Sequence, residues 1–143
     1  MALVKEPVIA VSTFVWIGFV CAISFMEAWL KFRAPGINLP LGLGIGRLVF
    51  NALNKVEIVL AVAILINLLF SKQPYTEWPN LLFLLALGIV AVQTFYLLPA
   101  LDQRAETIIR GIEAAPSRLH FYYVGAEFIK VISLVIFGIK LFK

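Results

Sequence analysis

The sequence predicts an all-α fold: a four-helix transmembrane bundle, up-down-up-down, in one domain covering residues 1–143. Three observations predict it. Hydrophobic residues make up 62% of the 143 and charged residues 14%, against roughly 25% charged in an ordinary soluble domain. Four apolar stretches each reach the length of about 20 residues that a helix needs to cross a ~30 Å hydrocarbon layer. Short connections carrying Pro, Gly or charge separate them. Backbone polar groups in lipid must bond internally, so a helix is the element these stretches adopt.

Span one is read at about Pro7–Leu30. It is too long for the apolar core of a signal peptide and has no clear small-residue cleavage site. Span two runs at about Gly46–Phe70, span three at about Trp78–Ala100 and span four at about Arg118–Phe142. Pro79 suits a first helical turn, where a missing N–H is harmless. Pro99 is expected to bend or end span three. Ser117, directly after Pro116, is the expected N-cap of span four.

The first connection is Lys31–Ile45, with a turn at Ala34-Pro35-Gly36. Gly42, Gly44 and Gly46 alternate, but no strand precedes them and the spacing is not that of a nucleotide loop. Close packing or a flexible helix start is the reading. Ser71–Glu77 is a short turn. In Leu101–Pro116, the residues Leu101, Ala105, Ile108, Ile109 and Ile112 recur at helical spacing. That segment is amphipathic, either lying at the membrane surface or extending span three.

The formal charge is +4. The basic residues flank apolar runs and form no dense arm, which argues against a nucleic-acid partner and for a lipid bilayer. Connections one and three, with their flanks, carry Lys31, Arg33, Arg47, Arg104, Arg110 and Arg118; the terminal side carries Lys5, Lys72, Lys140 and Lys143. This bias places connections one and three in the cytoplasm and both termini on the opposite side. Cys21 is the only cysteine, so no intrachain disulfide and no cysteine-based zinc site can form.

The polar residues of the spans gather toward the ends that meet connections one and three. Ser24 and Glu27 lie near that end of span one; Arg47, Asn51, Asn54, Lys55 and Glu57 in that half of span two; Gln93 and Tyr96 in span three; His120, Tyr123, Glu127 and Lys130 in span four. A charge in mid-membrane costs ~3 kcal/mol or more, so these groups should face inward and pair. Glu57 with Lys130, and Glu127 with Lys55, are the expected pairs. The candidate ligand-binding residues are therefore Glu27, Arg47, Asn51, Asn54, Lys55, Glu57, Gln93, His120, Tyr123, Glu127 and Lys130, around a polar pocket between spans one, two and four. Plainer roles stand beside this one. Lys31, Arg33 and Arg118 suit interfacial anchors, Lys55 can snorkel, His120 suits a solvated position, and the amides can bond between helices.

The chemistry these types allow is narrow. The Glu-x-x-His pairs of di-iron bundles are absent, and no metal site is assigned. One histidine excludes bis-histidine haem ligation within one chain. No Ser-His-Asp order or phosphate loop is present. A buried Glu that carries a proton remains.

Two resemblances add to this. The run Ser24-Phe25-Met26-Glu27-Ala28-Trp29-Leu30-Lys31-Phe32, followed by Arg33-Ala34-Pro35-Gly36, resembles uncharacterised four-helix bacterial membrane proteins, which implies architecture alone. Arg47, Asn54 and Glu57 resemble the second-helix pattern of the membrane-associated eicosanoid and glutathione metabolism family, an Arg followed seven residues later by Asn-x-x-Glu. That resemblance implies trimers, with glutathione held by these three residues near the cytosolic leaflet. Phe50 stands where the family usually has a second Arg. The functional expectation is a small-molecule-binding membrane protein, with proton coupling through Glu57 or Glu127. A glutathione-dependent transferase and a non-catalytic subunit of a larger complex, with a homo-oligomer possible in either, are the alternatives.

Overall fold

The computed structural model describes residues 3–4, 6–72, 74 and 77–142. Lys5 and Lys143, counted above for orientation, lie outside the described residues. Among the described residues four helices are each long and apolar enough to cross a membrane: α1 at Pro7–Arg33, α2 at Leu39–Phe70, α3 at Trp78–Ile109 and α4 at Leu119–Ile139. α1 packs on α2, α2 on α3, α3 on α4, and α4 returns to α1. Val4 and Phe142 pair across the two chain ends, and the rings of Phe14 and Phe142 lie 6.0 Å apart beside them.

The helix limits differ from the sequence reading where local chemistry outweighs hydropathy. α2 begins at Leu39 rather than Gly46, because the Asn38 side chain accepts the Leu41 N–H at 2.9 Å and Pro40 occupies the first turn. The first connection thus shrinks to residues 34–38. α4 begins at Leu119, and Ser117 Oγ accepts the Leu119 N–H at 3.1 Å. Pro99 does not end α3. A wider π turn at Gln93–Leu97 precedes it, with the Leu98 N–H bonded to the Gln93 carbonyl; such a turn absorbs the clash and missing donor of a mid-helix proline. The amphipathic residues after Leu101 therefore extend span three. This extension stops at Gly111, whose φ of 75° allows the Gly111 and Ile112 N–H groups to bond back to Ile108 and Thr107.

At a rise of about 1.5 Å per residue, α2 and α3 are each ~48 Å long, longer than a ~30 Å hydrocarbon layer. Aromatic and basic side chains mark two levels. Arg33 lies over exposed Trp29, 4.8 Å from its ring centre; Lys140 lies over exposed Trp78, at 5.2 Å. Tryptophan and basic residues favour the two bilayer interfaces. Between those levels the outward faces are largely apolar, with Val11 and Phe19 on α1, Val59 and Val62 on α2, Leu81 and Leu85 on α3, and Ile129 and Ile132 on α4, although Lys55 on α2 is exposed there too. So much exposed apolar surface suits lipid rather than water.

The interior is layered along the bundle axis. The half toward the termini is a dry core of Ile9, Trp16, Val20, Ala61, Ile64, Leu68, Phe83, Ala86, Val90, Leu134 and Phe137. Ionisable side chains fill the middle. A cleft occupies the half toward connections one and three.

The alternating glycines lie inside the first turns of α2. A Cβ on Gly42 would come within 2.1 Å of the Phe32 ring, whereas one on Gly44 would meet open space. Gly42 is thus where the end of α1 crosses α2. Gly44→Ala should raise the thermal midpoint in detergent, through a helix gain of up to about 1 kcal/mol. Gly42→Ala should fall below it, because the Phe32 ring must be displaced at about 1–3 kcal/mol; equal midpoints would remove this crossing.

Candidate functional site

Lys130 lies in the centre of the bundle with no exposed surface, as does Glu127; Glu57 and Gln93 are 1% exposed. The Lys130 ammonium is 2.5 Å from Glu57 Oε2 and 2.5 Å from Glu127 Oε1, and it donates to Gln93 Oε1 at 2.7 Å. Gln93 Nε2 donates in turn to Glu127 Oε1 at 2.6 Å. Trp16 Nε1 donates to Glu57 Oε2 at 2.7 Å, and Ser24 Oγ donates to Glu127 Oε2 at 2.5 Å. All four helices contribute. Among the described residues no enclosed side-chain nitrogen or oxygen lacks a partner, as burial in low dielectric requires.

Two of these donors sit in π turns. Ser24 belongs to the turn at Cys21–Glu27, and Gln93 opens the turn at Gln93–Leu97. Each wide turn adds a residue to the helical repeat and redirects the side chains on its C-terminal side. Both deliver a side chain to the same acceptor, Glu127.

Two carboxylates flank one ammonium, so the trio is neutral only when one carboxylate carries a proton. An excess charge with no water is expensive in such a site. Glu127 and Ser24 are also at the floor of the cleft, which has a volume of about 170 Å³. Its walls are largely carbon, from Phe25, Phe32, Leu43, Phe50, Leu98, Leu101 and Val124, with Tyr123 beside Glu127. Tyr123 is 4% exposed and its ring meets that of Phe50 edge-on at 5.4 Å. Its hydroxyl forms no hydrogen bond among the described residues.

The sequence-predicted residues divide into three groups. Glu57, Gln93, Glu127 and Lys130 meet in the buried layer, and the expected Glu57–Lys130 pair is present. Arg47, Asn51, His120, Tyr123 and Glu127 line the cleft, and α3 contributes Leu98, Leu101, Asp102 and Ala105 to a wall first assigned to spans one, two and four. The rest stand apart. Asn54 is buried against α3 and donates to Thr94 Oγ1 at 2.9 Å. Glu27 pairs with Lys31 at 3.3 Å on its own helix. Lys55 is exposed, so the expected Glu127–Lys55 pair is corrected: a separation of two residues is ~200° around a helix, and an inward Glu57 turns Lys55 outward. Asn51 Nδ2 bonds to the Arg47 carbonyl of its own helix at 2.8 Å, and His120 is exposed at the cleft mouth.

Arg47 is already engaged. It makes a two-pronged pair with Asp102, at 2.7 and 2.9 Å, and a further bond to Glu106, whose other oxygen pairs with Arg110 at 2.7 Å. Of the three residues behind the glutathione-family resemblance, Arg47 alone lines the cleft. Sequence reasoning did not choose Trp16, Ser24, Asp102 or Glu106. Ser24 was visible as the first polar residue toward the end of span one, and the acidic pair as two of the charges after span three. Trp16 gave no signal, because an indole in an apolar span reads as packing.

Removing the shared cation should be far worse than removing one of the two anions. Lys130→Met leaves both carboxylates buried beside an apolar chain and should lower stability by about 3–5 kcal/mol. Glu57→Gln keeps an acceptor for Trp16 and leaves a balanced Lys130–Glu127 pair, so its loss should be clearly smaller. Chemical unfolding of both variants in one detergent measures the order, and a milder Lys130→Met would contradict the shared-cation geometry.

Comparison of the chain with protein-family models, with curated proteins and with solved structures gives no match.

Proposed function

We propose that this protein is a small membrane-embedded binder of a small molecule, with its site in the cleft and its occupancy coupled to a proton on the buried trio. The observation that carries this reading is the double position of Glu127, which reaches the cleft floor and also contacts fully buried Lys130 at 2.5 Å. A ligand group at that floor meets a carboxylate whose charge is tied to Glu57 through one ammonium. The dry core beyond Trp16 supports a site reached from one end only. The excess of basic residues on connections one and three supports that end as the cytoplasmic one. The volume, about 170 Å³, is near the ~150 Å³ of a cavity that accepts a benzene ring, which sets the scale of the group bound.

Ligand-observed NMR with benzyl alcohol tests the binding half in detergent. Binding should be saturable in the native chain and lost in Ala28→Trp, which fills the cleft from α1; equal signals from both would remove the site. Infrared spectra test the proton half. A protonated-carboxyl band should be present near neutral pH and lost in the double variant Glu57→Gln, Glu127→Gln, and its absence from the native chain would reject coupling.

A further inference from the structure

From the charges around the cleft we infer that its ligand is a lipophilic amine, bound as the ammonium ion in exchange for the proton of the buried trio. This inference rests on the cleft being a binding site, and it specifies what the cleft selects. Among the described residues an anion finds no free cation at the cleft floor. Arg47 is held by Asp102 and Glu106, Lys31 by Glu27, and Lys130 by two carboxylates beneath the floor. A strongly hydrated or bulky polar ligand finds carbon walls and little room. The lining residues with acceptor capacity to spare are Glu127, whose Oε2 takes one bond from Ser24 and is enclosed until Ser24 turns aside, and Tyr123, whose hydroxyl has no partner among the described residues. An ammonium group donates three hydrogen bonds and accepts none, and a ring-sized body fits the space between Phe25, Phe50 and Val124.

The charge count supplies the coupling. Empty, the trio is neutral with one proton shared between Glu57 and Glu127. With an ammonium ion against Glu127, the same neutrality holds when that proton has left. One cation enters, one proton departs to solvent, and no covalent bond changes except that O–H. The groups facing Glu127 are few. α4 offers Lys130 and Tyr123, α2 offers Glu57, and α1 and α3 offer uncharged Ser24 and Gln93. Farther out, Asp102 is paired with Arg47 and Lys31 with Glu27, while His120 stands exposed at the mouth.

Three probes with one ring and different head groups test this on the full chain in detergent micelles: 2-phenylethylamine, 2-phenylethanol and phenylacetate, each titrated by calorimetry. The amine should bind about ten-fold more tightly than the alcohol, as a charge-assisted bond exceeds a neutral one, and the acid should bind least. Amine affinity should rise with pH across the range in which the empty trio holds its proton, by up to about ten-fold per unit, as expected when one proton is released per ligand. Measured in two buffers of different ionisation heat, that proton should appear directly. His120→Gln should leave the slope unchanged, and Tyr123→Phe, which keeps the ring packing, should weaken the amine several-fold. Glu127→Gln should abolish both the preference and the slope while the alcohol still binds. If the alcohol or the acid binds best, or amine binding releases no proton, the amine assignment is overturned while the cleft stands as a site. If none of the three distinguishes the native chain from Ala28→Trp, the site itself fails and the inference with it.

Discussion

One ammonium between two carboxylates holds this bundle in register. In lipid, apolar helix faces gain little by meeting one another, because acyl chains are as apolar as leucine. Polar groups behave differently: nothing in a hydrocarbon layer can replace Glu57 and Glu127 around Lys130, or Trp16, Ser24 and Gln93 around the carboxylates. The six side chains come from four helices, so a slip of any helix by one turn, ~5.4 Å, would strand a charge. The polar layer thereby fixes rotation and depth for every span at once. The flanking Trp29–Arg33 and Trp78–Lys140 contacts then suit the two interfaces without having to specify the packing.

Much of this was legible from residue types. Four apolar runs gave the fold class, and the high cost of intramembrane charge was enough to expect Glu57 and Lys130 to meet. The spacing of His120, Tyr123, Glu127 and Lys130 puts them on one stripe of α4; the last three are buried, whereas His120, in the first turn, is exposed. Helical arithmetic failed where the repeat is not 3.6. The π turns at Cys21–Glu27 and Gln93–Leu97 shift the phase of α1 and α3 midway, so the partners that Ser24 and Gln93 reach cannot be read from a regular wheel. Lys55 failed for another reason. It was grouped with Glu57 by depth, although their angular separation alone sends them to opposite faces.

Arg47 shows where a local pattern misleads. Its distance from Asn54 and Glu57 along α2 matches a glutathione-binding pattern, yet the three side chains go three ways: Arg47 to Asp102 and Glu106, Asn54 to Thr94, Glu57 to Trp16 and Lys130. Asp102 and Glu106 are available only because α3 continues past Pro99 to Ile109. The sequence contains both acids, but the decision that brings them opposite Arg47 is made by the π turn that accommodates a proline. A motif on one helix is therefore conditional on the length of its neighbour.

The three layers differ in what they resist. The dry core toward the termini is made of contacts that lipid or another apolar face can substitute, so separating helices there forfeits packing but exposes no unsatisfied group. The polar layer resists separation, since a carboxylate drawn from Lys130 would lose its only full counter-charge. All four helices line the cleft half, where Arg47 clamps α2 to α3 at the cleft wall. Motion that leaves the polar layer intact while loosening the core is thus the least costly deformation of this bundle. The same polar layer is where two of the four helices depart from regular geometry, in the wide turns that hold Ser24 and Gln93.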